Sequence, residues 1–212
     1  MGQRSTARAG RPPVTSRAAL ERTALELFTA RGFDATTVDD IAAAAGIGRR
    51  TFFRYYASKN DVLWGDFTAG LVQMEAWLEA APDGPLVPTL AEVVVRFNAL
   101  DPGAVPAHRQ RMALILQVPT LQAHSTLRYA EWRAVVVRFA ARRLGQDVGA
   151  LLPQLIGHAA LAGAVTAYEQ WLVDPDADLA DLLRAAFAHL DAGLAGPDGK
   201  PGLVKSKDVH LS

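Results

Sequence analysis

TTVDDIAAAAGIGRRTFFRYYASK, residues 36–59, reads as two short helices joined by a glycine turn, the second of them basic and aromatic. Val38, Ile41 and Ala42 form one apolar stripe at helical spacing, and Gly46 supplies a residue able to take positive φ at the turn. Ile47 and Phe52 are the apolar anchors expected to hold the second helix on the first. Arg49, Arg50 and Arg54 are then left facing outward with Thr51, Phe53 and Tyr55. A short helix fixed on one side and basic on the other suits insertion into a DNA major groove, where arginine reads base edges. Thr37 and Asp40 fit a capping box, and acidic residues suit the positive end of a helix. The same N–H groups can instead face a DNA phosphate. Ser58 with Asp61 repeats the device one helix later. It places Lys59 in a first turn, where a cation is unfavourable unless an anion such as phosphate lies nearby.

Working outward, the charge distribution agrees with a DNA-facing head. Residues 1–60 hold ten Arg and Lys against five Asp and Glu, and the remainder holds twelve against seventeen. A basic head on a slightly acidic body is the asymmetry a nucleic-acid partner calls for. The first 14 residues, MGQRSTARAGRPPV, are polar, basic and broken by Pro12 and Pro13, and are expected to be a flexible arm. Arg4, Arg8 and Arg11 there have two readings, as a solvated tail or as added phosphate and minor-groove contacts. The tail from residue 196 is expected to be disordered.

Helices follow from periodicity and punctuation. The first is predicted from a cap at Thr15 or Ser16 to Ala30, with Ala19, Leu20, Ala24, Leu27 and Phe28 inward and Gly32 ending it. After the head, a helix is expected from Asp61 to Ala80, then Thr89–Leu100, His108–Gln117, Thr120–Leu144, Asp147–Val173 and Leu179–Leu194. Pro82, Gly84, Pro85 and Pro88 are read as a break, as are residues 101–106. The fold class is therefore all-α: a head over residues 15–60 and a larger helical bundle over 61–195, the latter for effector binding and dimerisation.

Gly32-Phe33, Thr36-Thr37-Val38, Ile41-Ala42, Ala45-Gly46-Ile47 and residues 51–59, TFFRYYASK, resemble the DNA-binding domain of TetR-type repressors. The resemblance implies a two-domain helical homodimer that releases its DNA operator when a small molecule enters the C-terminal domain. It places Thr37, Phe53, Tyr55 and Lys59 against phosphates, and Arg49, Arg50, Thr51 and Arg54 against base edges. Two residues depart from the pattern. Gly48 stands where a capping Ser or Thr is usual, and Phe53 where a Tyr is common. Residues 49–56 (RRTFFRYY), 64–67 (WGDF), 120–125 (TLQAHS) and 128–132 (RYAEW) further resemble the regulators associated with mycofactocin clusters in actinobacteria. That resemblance implies long-chain acyl-CoA as the effector class.

Other chemistries find little support. The chain has no cysteine, which excludes disulfides, thiolate catalysis and Cys-ligated zinc. The histidines, at 108, 124, 158, 189 and 210, show no metal-pair spacing, and no Gly-x-Ser-x-Gly, phosphate loop or dinucleotide fingerprint is present. Neither an enzyme, a cofactor nor a metal is expected. His158 is read as a satisfied core or interface histidine.

No secretory signal is expected, and the cytosol is the expected compartment. Residues 149–168 carry no Asp, Glu, Lys or Arg, and a helix buried at a subunit interface is preferred to a membrane span. Its small residues Gly157, Ala159, Ala160, Ala162, Gly163 and Ala164 permit close approach. Leu161, Val165, Tyr168 and Leu172 fall at 4-3-4 spacing, and this helix paired with the final one (Leu182, Leu183, Ala186, Phe187, Leu190) is expected to form half of a two-fold, four-helix dimer contact, burial within one subunit being the alternative.

The aromatics have two readings, as ordinary core or as the lining of an effector pocket. The pocket reading names Trp64, Phe67, Met74, Phe97, Met112, Arg128, Tyr129, Trp132 and Tyr168, with Arg128 and Arg133 near an anionic head. A DNA-binding regulator with no effector, whose C-terminal domain serves only dimerisation or a protein partner, is the competing function.

Overall fold

The computed structural model describes residues 16–193, and every regular element among them is a helix. The arm of residues 1–14 and the tail from 196 lie outside the described residues. Helix α1 (Arg17–Arg31) opens at Ser16, whose hydroxyl accepts a 3.1 Å bond from the Ala19 N–H. Leu20, Ala24, Leu25 and Phe28 are its buried side. Leu25 joins the expected stripe, while Ala19 and Leu27 are only half-buried.

Helices α2 (Val38–Ala44) and α3 (Arg49–Tyr55) follow. The capping box closes in both directions: Asp40 N–H donates to Thr37 Oγ1 at 3.1 Å, and Thr37 N–H to Asp40 Oδ2 at 2.8 Å. Gly46 takes φ +66° at the turn between them, a backbone state that costs glycine little.

The larger part of the chain forms α4 (Phe67–Ala80), α5 (Leu86–Phe97), α6 (Val105–Gln117), α7 (Pro119–Leu144), α8 (Leu151–Val173) and α9 (Leu179–Asp191). Several boundaries differ from the sequence expectation, α5 for one ending at Phe97 rather than Leu100. Most consequential, the helix expected from Asp61 to Ala80 is two pieces, a 3-10 segment (Asn60–Trp64) and α4. Gly65 between them adopts φ +53°, ψ −129°, which L side chains avoid. A Cβ there would also stand 3.3 Å from Glu21 Oε2.

Helix α5 starts at Leu86, before Thr89, because Pro88 falls in a first turn, where the missing N–H has no intrahelical acceptor to lose. Pro106 likewise sits in the first turn of α6, so that helix begins before His108. Residues 147–150 are a turn in which Asp147 Oδ1 accepts from Gly149 N–H at 2.7 Å, and α8 starts after it.

Two cores result. Leu71, Met74, Leu78, Val94, Trp132, Val136, Phe139, Trp171, Leu183 and Phe187 anchor the larger one. The other gathers Leu20, Phe28, Phe33, Ile41, Phe52, Tyr56, Val62 and Leu63 with Ile115 of α6 and Leu121 of α7. The head is thus sealed by residues far along the chain.

Helix α8 is long and apolar enough to cross a membrane by length and composition alone. Its small residues show a different use for that character. A Cβ at Gly157 would sit 2.6 Å from Val137 Cγ2 of α7, and one at Gly163 would sit 3.2 Å from Leu190 Cδ1 of α9. The stripe expected to pair subunits is therefore turned inward: Tyr168 is buried with Leu183 and Phe187, and Leu161, Leu172 and Leu190 pack on the same core. A helix apolar on nearly all sides offers two stripes, and spacing alone does not say which is covered. The outward one carries Leu151, Leu155, His158, Ala162 and Val173, with Leu151 83% and Val173 78% exposed. His158 lies on that face rather than in the core.

Replacing Gly65 by Ala is expected to destabilise the chain by roughly 1–3 kcal/mol, from the strained backbone and the crowding of Glu21. Urea denaturation followed by circular dichroism measures it, and an unchanged midpoint would remove the steric reason for the break.

Candidate nucleic-acid interface and ligand cavity

The basic helix is fixed by its apolar side. Phe52 is fully buried and Tyr56 nearly so, and Ile47 is half-buried beneath the turn. Its other side presents Arg49, Arg50, Phe53 and Arg54 to solvent. Phe53 is 44% exposed and meets Phe52 edge to face.

The three arginines are not equivalent. Arg49 Nη1 is 2.8 Å from Asp39 Oδ2 and its guanidinium lies 5.4 Å from the Phe53 ring. Arg54 leans over Tyr55 at 5.5 Å. Arg50 has no ion pair among the described residues. Thr51 and Tyr55 are half-buried at the helix flank, and Gly48 caps α3 with its backbone alone. Thr37 is exposed at the start of α2 on the same side chain–backbone box that fixes Asp40. The Asp40 carboxyl is held below the ordinary carboxylate range by the Thr37 hydroxyl and N–H, while slight burial opposes them and Arg31 adds to them.

Lys59 does something the sequence reading did not anticipate. Its ammonium donates to Phe33 O at 2.8 Å and Thr36 O at 2.9 Å, and sits 4.3 Å from the Phe33 ring centre. Within the chain, the partner of this lysine is the carbonyl pair between α1 and α2. Behind it, Asp61 accepts from the Ser58 hydroxyl at 2.7 Å and from Arg128 Nη2 at 2.9 Å, with His124 Nε2 at 3.1 Å. Burial alone would raise the Asp61 carboxyl, but the hydrogen bonds from Ser58 and Arg128 and the charges of His124 and Arg128 outweigh it and hold the pKa low.

A cavity of about 320 Å³ opens in the larger bundle against this head. Of the residues named from sequence, Trp64, Phe67, Phe97, Met112, Tyr129, Trp132 and Tyr168 line it together. Tyr129, Trp64, Phe67 and Phe97 meet edge to face in sequence, with centroids 5.8, 5.0 and 6.1 Å apart. Met74 does not belong; it is fully buried in the core beneath. Arg128 does not either, because Asp61 and Glu131 hold its guanidinium on the head side. Arg133 is absent from the lining, and its Cγ packs near Gly157. An arginine one turn from an aromatic cluster looks the same in sequence whether it points to the cavity or to a carboxylate.

The sequence reading missed Glu21, Asn98, His108 and Arg111, which all line the cavity. A signal was present for two of them: His108, Arg111, Met112 and Ile115 fall at i, i+3, i+4, i+7 and share one face of α6. His108 Nε2 lies 3.0 Å from the Tyr168 hydroxyl, which donates to Asn98 Oδ1 at 2.7 Å, while Asn98 Nδ2 donates to Val94 O at 2.8 Å. Since the hydroxyl proton goes to Asn98, His108 Nε2–H must be the donor to it. Burial, helped by the charge of Arg111, pushes His108 down to about 4. Burial also raises the Tyr168 and Tyr129 hydroxyls.

A helix-turn-helix head with a basic outer helix, joined to a larger helical bundle, defines a class of DNA-binding transcriptional regulator. The profile of bacterial regulatory proteins of the tetR family matches residues 22–63, and that of the MftR C-terminal domain matches residues 84–195. The chain belongs to the TetR family of transcriptional regulators, and so to a family of non-enzymes. It is 44% identical over 188 residues to a protein named as the mycofactocin biosynthesis transcriptional regulator MftR of Mycobacterium tuberculosis, covering 88% of this chain and 95% of that one.

Solved structures share the fold at lower identity. A TetR-family regulator from Syntrophomonas wolfei superposes with a TM-score of 0.63 at 15% identity, over 90% of this chain and 97% of the other. FadR of Thermus thermophilus, a repressor solved with lauroyl-CoA, superposes with a TM-score of 0.53 at 23% identity, over 88% and 100%.

The depressed His108 pKa carries a sign. Unfolded, the ring takes a proton below about pH 6.5, whereas folded it does so only near 4, so stability is full above the first value and is lost as pH falls toward the second. His108→Gln is expected to lose less stability than the parent between pH 7 and pH 5 in urea denaturation; equal losses would show that His108 does not titrate differently on folding.

Proposed function

We propose that the chain is a ligand-responsive transcriptional repressor that binds a palindromic operator as a homodimer and lets go when an apolar or amphipathic effector enters the cavity. Residues 15–60 carry the DNA, and residues 61–195 carry the effector and the dimer contact. The observation that supports this most is that the aromatic cavity and the head share a wall, in which Glu21 of α1 faces the same space as Trp64, Tyr129 and Tyr168. An occupant of that space cannot be indifferent to the position of α1.

The effector class that fits best is a long-chain acyl-CoA. An apolar lining with a few polar groups suits an acyl chain ending in a carbonyl, and a FadR of the same fold was solved with lauroyl-CoA. Dimerisation is supported by the outward apolar stripe of α8, which one subunit leaves bare. A two-fold pair of heads would read half-sites one helical turn, roughly 34–36 Å, or a multiple apart. Regulation of this kind takes place in the bacterial cytoplasm, with double-stranded DNA and a second copy of the chain as partners.

The test has two arms, both by fluorescence anisotropy on a duplex selected from random sequence with the wild-type protein. Arg50→Ala and Arg54→Ala should each cost about 1–3 kcal/mol of operator affinity and relax sequence preference. Arg49→Ala should cost less, because binding DNA through Arg49 first breaks its pair with Asp39. Operator affinity and sequence preference unchanged from the parent in the Arg50 and Arg54 variants would remove the recognition-helix assignment. In the second arm, lauroyl-CoA should dissociate the wild-type complex. No release by it or by other amphiphiles would leave a regulator whose C-terminal bundle only dimerises.

A further inference from the structure

Arg111 is the arginine that lines the cavity, and its hydrogen-bonding capacity is barely used. Arg109, two residues before it, is saturated by the carbonyls of Trp171, Asp174, Pro175 and Ala177. Arg128 is shared between Asp61 and Glu131. Arg111, by contrast, makes one contact, from Nη2 to Glu21 Oε2 at 3.3 Å, and its Nε–H is buried with no partner. Charge-assisted pairs are normally shorter, about 2.7–2.9 Å, and arginine–carboxylate pairs are often bidentate. The pair is enclosed all the same, with side chains 17% and 27% exposed for Glu21 and Arg111.

Two more wall residues share this condition. Trp64 Nε1–H and the Tyr129 hydroxyl are buried without partners within hydrogen-bond distance, with Ser125, whose own proton goes to Leu121 O, close enough to Tyr129 to act on its pKa. Buried polar groups are nearly always paired, so three unpaired ones around one cavity call for a common explanation. All three can donate. What they lack is an acceptor: of the two acidic residues lining the cavity, Glu21 is engaged on both oxygens and the exposed Asp66 pairs with Arg17.

Glu21 is engaged on something that matters. Its Oε1 accepts from the Tyr56 hydroxyl at 2.6 Å, and Tyr56 is the residue that closes the basic helix α3. Burial, with the Glu21 bond second, raises that hydroxyl's pKa, so the proton stays on Tyr56 as the donor. Glu21 therefore ties three elements at one carboxylate: α1 that carries it, the end of α3, and α6 through Arg111. Gly65 leaves room for that carboxylate because it has no side chain.

We infer that Arg111 is the docking group for a carboxylate or carbonyl head on the effector, and that docking acts by drawing Arg111 away from Glu21. This rests on the ligand-responsive reading above and adds the chemistry of the head and the route of the signal. A carboxylate engaging the guanidinium through two bonds outcompetes a single 3.3 Å contact in a site this enclosed. Glu21, its counter-charge removed, turns toward water and loosens its hold on Tyr56, and the end of α3 shifts with it.

The full-length protein is titrated with dodecanoate and with dodecanol, following the fluorescence of Trp64 and Trp132 in the cavity wall. Dodecanoate should bind at least about tenfold tighter than dodecanol, and Arg111→Met should abolish that advantage while leaving dodecanol within about twofold. Glu21→Gln, which removes the competing charge, should tighten dodecanoate several-fold. Without any ligand, Arg111→Met and Glu21→Gln should each weaken operator binding about five- to tenfold, and the double variant no further, since both break one link. Arg111→Lys, which keeps the charge, should retain most of the operator affinity. Circular dichroism melts confirm that each variant is folded.

Equal binding of the two amphiphiles overturns the docking role and leaves the ligand-responsive reading standing. Folded Arg111→Met and Glu21→Gln variants with parental operator affinity overturn the route through Glu21. Failure of the wild-type cavity to take either amphiphile counts against the ligand-responsive reading itself, and the inference falls with it.

Discussion

The interior of the DNA-facing head is closed by residues that belong to the larger bundle. Ile115 of α6 and Leu121 of α7 are buried with Phe28, Phe33, Ile41 and Phe52, and Met112, Leu114 and Val118 pack around them. Protein interiors are packed to crystal-like density and respond to displacement by shifting whole elements rather than by compressing. A movement of α6 therefore reaches α1 as a push on packed side chains. Helix α6 also supplies His108, Arg111, Met112 and Ile115 to the cavity, so the helix that would feel a ligand also seals the head.

Polar ties set the angle at which that contact is held. The Glu21 carboxylate joins α1 to the end of α3 and to α6, and Asp61 joins the 3-10 segment after α3 to α7 through His124 and Arg128. Both carboxylates are largely enclosed, unlike the exposed pair of Arg17 and Asp66, and ties of that kind fix geometry more than exposed pairs do. Between them runs the break at Gly65. A helix unbroken from Asn60 to Ala80 would have led rigidly from the edge of the head into the cavity wall. The break gives the chain a joint at the cavity's edge, with the two carboxylate ties on either side of it.

Much of the head was legible in the sequence because its signals are local. Thr37 with Asp40, Gly46 at the turn and the alternation of Phe52 with arginines each depend on residues within a few positions. The aromatic cavity was legible in composition, and six aromatic residues of its lining and Met112 were named from it. What escaped was set by partners distant along the chain. Lys59 rests on carbonyls 23 and 26 residues away, and Arg128 on a carboxylate 67 residues away. Met74 and the inward stripe of α8 were misplaced because an apolar residue on a helix apolar all round carries no mark of which side is covered. Glu21 is visible only once α1, α3 and α6 are assembled.

Filling the cavity is expected to move the two heads of a dimer relative to each other. The chain has no cysteine, so a single one introduced at Arg22, exposed on α1, would carry the only spin label in each subunit. Double electron–electron resonance then reports the distance between the labels in the dimer. With lauroyl-CoA added until the tryptophan signal saturates, the distance distribution should shift as a whole to a new maximum. A distribution that stays where it was, with the cavity demonstrably filled, would contradict the account.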